Sequence, residues 1–157
     1  MLTLSLDDYL WFVDEALAGM AAIVTELGDE LANRRPDLPG ANSPYAILTH
    51  CLGVIEWWAG HAVAGRVVER DRDAEFRAAG PVAALATRVE EARRRLRADV
   101  ATLDSAAPLR GTDGLWPEDA DLPIARTQGG ALFHIYEELA QHRGQMEGGR
   151  DLLLAAG

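Results

Sequence analysis

From Leu6 onward the apolar positions Tyr9, Leu10, Val13, Leu17, Met20, Val24 and Leu27 step by three and four residues, the spacing of one buried face on a long amphipathic helix. The stretch "ANRRPDLPGANSP" interrupts that period with Pro, Gly and Asn, and Ser43 then stands as an N-cap with Pro44 at the first helical position. The second helix keeps Ile47, His50, Val54, Trp58 and His61 along one inner line. "GRVVERDRDAEFRAAG" breaks the pattern and predicts a charged connection with room for a turn of helix. A third helix opens at Pro81 and runs through Leu85, Val89, Ala92, Leu96, Val100 and Leu103, its Arg and Glu residues facing solvent. Residues 104–126 hold three prolines and no sustained period, which predicts a partly ordered flap. Thr127 caps a fourth helix that reaches "LLLAAG". Gly144, Gly148 and Gly149 weaken that helix by roughly 1 kcal/mol each relative to Ala where they lie in its interior. Four long helices joined by two long connections predict an all-α four-helix bundle, read as a single domain over residues 1–157.

One stripe of the last helix carries chemistry. In "FHIYEELAQHRGQ", His134, Glu138 and His142 recur every fourth position, so their side chains are spatial neighbours on one face. Glu138 and His142 reach a common ion at bond lengths of about 2.0 to 2.2 Å. A third ligand must come from a facing helix, roughly 8 to 10 Å away, and His50 sits on the inner line that supplies it. His61 lies eleven residues further on, about 16 Å along the axis, too far to share that ion. The spacing alone suits a polar ladder of buried, hydrogen-bonded side chains better than a metal site, and the inward His50 shifts the balance only modestly. Cys51 is about 100° around the helix from His50 and reads as a small core residue. Trp57 and Trp58 read as packing, whereas Trp116, in the flap, is placed to touch a ligand. Tyr45 and Tyr136 are hydrogen-bond donors within reach of either role.

Composition narrows the partners. The 157 residues are 48% hydrophobic, enough for a real core, and the net charge is −10 with Arg as the sole cationic residue type apart from His. That balance argues against nucleic acid or an anionic membrane as the main partner. A single cysteine excludes an internal disulfide and fits a reducing, cytoplasmic setting. Asp7 and Asp8 stand where a signal peptide would carry positive charge, so the expectation is a soluble, unexported protein.

"NSPYAILTHCLGVIEWWAGH", followed by "TQGGALFHIYEELAQHRGQMEGGRDLL", resembles the DinB-like superfamily, in particular the branch near the mycothiol-dependent transferases and maleylpyruvate isomerase. The resemblance covers nearly the whole chain. It implies a four-helix bundle, frequently a homodimer, that binds a divalent metal through the positions of His50, Glu138 and His142. Zinc heads the possibilities, with nickel, iron and manganese also suited to two imidazoles and a carboxylate. Many members of this branch have a further His where this chain has Gln145.

Two imidazoles and one carboxylate leave a bound zinc at least one open position, as in catalytic zinc sites. A low-molecular-weight thiol entering it loses its proton. The resulting expectation is a metal-dependent thiol S-transferase that activates mycothiol or a similar thiol for attack on a small electrophile. His134 is the candidate catalytic residue, as a proton shuttle or as an orienting partner of Glu138. Arg126 and Arg143, nearest the motif, are the candidates for the polar groups of the thiol. The alternatives are a non-catalytic stress or binding protein with a structural or incidental metal, and a metal-dependent hydrolase.

Overall fold

The computed structural model describes residues 3–156, and among them every element of regular secondary structure is helical. Helix α1 (Leu6–Ala32) begins where the Ser5 side chain accepts a hydrogen bond from the Asp8 amide at 3.0 Å, with Asp7 and Asp8 facing the positive end of the helix dipole. Its last turn is kinked at Gly28, whose φ of 67° is one that residues with a Cβ rarely adopt. Just beyond, Asn33 donates to the Gly80 carbonyl at 2.9 Å and accepts from the Gly80 amide at 3.0 Å. That pair of bonds fixes the entry into α4 (Val82–Asp99).

Helix α2 (Pro44–Ile55) starts at Ser43, which accepts from the Ala46 amide at 3.2 Å. Ser43→Ala is expected to cost about 1 kcal/mol of stability. Urea unfolding measures this, and an unchanged midpoint would show that Pro44 alone sets the start of the helix.

The second helix is not regular to its end. From Glu56 to Val63 it widens into a π-helix, and both Trp57 and Trp58 are buried there. Arg66 closes this segment by donating two hydrogen bonds to Asp99 and one to Glu56, each 2.8 or 2.9 Å long. Its guanidinium lies against Gly60, where a Cβ would come within 2.2 Å of it.

The charged connection that follows contains a four-residue helix, α3 (Arg72–Glu75), capped by the Asp71 side chain on the Ala74 amide at 2.9 Å. Helix α4 stops at Asp99, before the expected Leu103, which still packs against the core. A short α5 (Pro123–Arg126) leads into α6 (Gln128–Ala155), capped by Thr127. The glycines at 144 and 148 lie inside α6 and face open space rather than a tightly packed neighbour.

Each of the two long helices α1 and α2 packs against both α4 and α6, giving the four-helix bundle. Its interior is filled by fully buried side chains including Leu17, Met20, Leu48, Trp58, Leu96 and Leu139. The loop before α5 is tied to the start of α6 by the buried Gln128, which donates to the Pro108 carbonyl at 3.0 Å and whose own amide donates to the Ala107 carbonyl at 2.9 Å. Trp116, Glu118 and Asp119 of this loop reach the cavity in front of His50 and Glu138.

Candidate metal centre

Helices α2 and α6 face each other, and their contact brings His50, Glu138 and His142 together. One donor atom from each lies within 4.8 Å of the other two. His50 Nε2 is 3.2 Å from Glu138 Oε2, and His142 Nε2 is 3.5 Å from the same oxygen. Donors that share a four-coordinate zinc at about 2.0 to 2.1 Å stand about 3.3 Å apart, so both separations suit a common cation.

The outward nitrogens support that fit. His50 Nδ1 lies 2.9 Å from Glu75 Oε2, and His142 Nδ1 lies 2.8 Å from Gln145 Oε1. The Glu75 and Gln145 oxygens are acceptors, and the Arg70 Nη2 donor stands farther from His50 Nδ1 at 3.4 Å, so each Nδ1 carries the proton and donates it to the nearer oxygen. Each Nε2 faces the Glu138 oxygen: it donates to that carboxylate when protonated, and would offer its lone pair to a cation bound between them. Gln145 is thereby placed as the orienting partner of His142.

Charge is concentrated here and partly buried. His50 is 1% exposed. The hydrogen bonds from His142 and His50 hold the Glu138 carboxyl well below the usual carboxylate range, against an opposing effect of burial. Burial is the largest influence on His50 and acts to lower its pKa. The hydrogen bonds to Glu138 and Glu75 outweigh it together and leave the imidazole above its ordinary value. Glu75, whose burial acts to raise its pKa, is carried below the ordinary value by its bonds to His50 and Arg70.

Glu75 is the residue that periodicity did not single out. It lies in the charged connection, 25 positions from His50, and its Oε1 and Oε2 accept from Arg70 Nε at 2.8 Å and Nη2 at 2.9 Å. The local signal for it was the Asp71 cap, which starts α3 and turns Glu75 and Phe76 toward the bundle. Phe76 stacks on the His50 ring at 4.4 Å.

His134 does not join the cluster. Its Nδ1 is 3.2 Å from Glu137 Oε2, and its ring stands edge-on to Trp58 at 4.9 Å. It lines a cavity of about 180 Å³ in front of His50 and Glu138, together with Val54, Trp58, Arg70, Arg72 and Trp116. The two arginines expected beside the site are elsewhere: Arg126 donates to the Asp121 carbonyl, and Arg143 bonds Glu147 and the Glu15 carbonyl. Proximity in sequence misled there, because Arg143 follows His142 by one residue and so points about 100° away. Tyr45 has its hydroxyl against Gly80 and Tyr136 packs on Phe12, so neither lines the cavity. His61 donates from Nδ1 to the Arg66 carbonyl and takes no part. Cys51 is buried, and burial pushes its thiol well above its ordinary pKa, so it stays protonated at neutral pH and is no nucleophile. A larger groove of about 660 Å³, between the loop at 36–42 and the C-terminal half of α6, is mostly apolar and holds none of the three clustered ligands.

A helical bundle with a partly buried two-histidine, one-carboxylate cluster between its second and last long helices, at the floor of a small cavity, defines a DinB-like protein. Residues 8–154 match the family model described as mycothiol-S-transferase. The chain belongs to that family, and a thiol-transferase role goes with it. No curated protein and no solved structure matches the chain significantly. No described helix is long and apolar enough to cross a membrane.

Proposed function

We propose that this chain is a divalent-metal-dependent thiol S-transferase in which His50, Glu138 and His142 hold the ion and mycothiol or a similar thiol is the co-substrate. The observation that carries the reading is the convergence of two imidazole Nε2 atoms on one Glu138 oxygen, with both outward Nδ1 atoms already paired. A divalent cation bound there lowers the pKa of a ligating thiol, whose free value is about 8.5, so that thiolate is available at neutral pH.

The chain's residues shape the rest. The thiolate sulfur forms a bond to the electrophilic carbon. The leaving group departs with the electron pair of the broken bond, or, for an unsaturated electrophile, the neighbouring carbon takes up a proton. His134, on the cavity wall with Nδ1 engaged by Glu137, has its other nitrogen free to accept the proton that the thiol gives up. Trp58, Val54 and Trp116 give part of an otherwise polar cavity lining an apolar character, which suits an electrophile with both apolar and polar parts. Arg70, Arg72, Glu118 and Asp119 add charges of both signs to its lining.

The test is consumption of thiol with chlorodinitrobenzene across a thiol panel that includes mycothiol. The chelator-treated protein is expected to be inactive and to recover on addition of zinc. Equal rates with and without metal would refute the metal dependence. Background rates with every thiol, combined with a His142→Ala variant that merely melts at lower temperature, would favour a structural or incidental metal.

A further inference from the structure

The side chains behind His50 form a built assembly rather than a chance ion pair. Arg70 is 7% exposed and grips both oxygens of Glu75, which is 10% exposed at its side chain. Trp116, reaching over from the loop at 104–122, lies across the Arg70 guanidinium at 5.5 Å. Phe76 covers the face of the imidazole. Helix α2 carries a glycine opposite the carboxylate: a Cβ at Gly53 would come within 1.9 Å of Glu75 Oε1 and 2.6 Å of Cδ. The backbone is thus pared back at the one place where Glu75 must sit to reach His50.

We infer that Glu75, clamped by Arg70 and seated against Gly53, is a positioning residue that fixes His50 with its proton on Nδ1 and its Nε2 lone pair aimed at the metal. This rests on the metal reading above. A carboxylate can only accept, so it selects one tautomer, and two bonds from Arg70 with a wall at Gly53 leave it one place to stand. Orienting partners of this kind typically change metal affinity about 10- to 100-fold. The aromatic cover from Trp116 ties the same assembly to the loop that roofs the cavity, so the loop and the metal ligand share one support.

Two variants probe it from opposite sides. Glu75→Gln replaces the acceptor with an amide that can turn its NH2 toward His50 and impose the other tautomer. Gly53→Ala removes no polar group, and such a change inside a helix otherwise favours folding, yet it must push the carboxylate away. Zinc and cobalt titrations of both are expected to show affinity lowered about 10- to 100-fold relative to the unaltered chain, with the metal-free proteins still folded. Glu75→Asp, which keeps the acceptor, is expected to recover part of the loss. Folded variants that bind zinc as tightly as the unaltered protein would overturn the inference. Should either variant fail to fold, long-range nitrogen–proton NMR of the unaltered, metal-free protein decides: His50 protonated on Nδ1 supports the assignment, and protonation on Nε2 alone refutes it. Failure of the unaltered protein to bind any metal would instead refute the metal reading and leave the tautomer result to stand on its own.

Discussion

Glu138→Gln is expected to weaken zinc binding by more than about 100-fold, beyond the range seen when only an orienting partner is lost, and to bring metal-dependent thiol consumption to background. Glu138 supplies the oxygen on which both imidazoles converge, and it is the only negative charge in the three-residue cluster. The amide is nearly the same size and shape, so the helix and the cavity wall are retained while the charge is lost. Isothermal titration with zinc, beside a thermal melt of the metal-free protein, separates loss of ligation from loss of fold. A variant that kept the affinity of the unaltered protein would show that Glu138 is not a ligand and that its place between the two histidines is a polar ladder only.

The largest effect on stability is expected from Trp58→Ala, at about 3 to 5 kcal/mol. Trp58 is 1% exposed and is the largest of the fully buried side chains. Its ring meets Trp57 at 4.8 Å and His134 at 4.9 Å, both edge to face, so truncation leaves a void that two aromatic neighbours cannot fill without losing their own contacts. Domains of this size unfold with a total of about 5 to 15 kcal/mol, so the loss is a large part of the whole. It corresponds to a fall in melting temperature of roughly 6 to 20 °C. Urea unfolding of the metal-free protein measures it, and a cost below about 1.5 kcal/mol would mean that the neighbours collapse into the space.

The periodic part of the sequence carried most of the architecture. Caps at Ser43 and Thr127, Pro44 at the start of a helix, and apolar steps of three and four are local codes, and each stands where the spacing put it. The convergence of His50 with Glu138 and His142 was legible for the same reason, since inward azimuth on two facing helices follows from period. What escaped was set by contacts between distant segments. Glu75 looked like one more charge in a charged stretch, because its burial depends on Arg70, Gly53 and His50, which no local pattern links. The π-helix from Glu56 escaped too: it is accompanied by Arg66 anchored to Asp99 on another helix, which no local pattern announces, and the apparent inner line through His61 assumed an unbroken α period. His134 shared the stripe with its neighbours yet turned to Trp58, since one residue at the end of a stripe sees a different facing surface.

The three clustered donors are drawn from helices 88 positions apart in the chain. An ion that binds them only when both helices are in place adds to stability by mass action. In a cell short of that ion, the second and last helices would separate more often, and the protein would be cleared by proteases sooner than a metal-replete copy. Abundance of this chain would then track metal supply without any change in its synthesis.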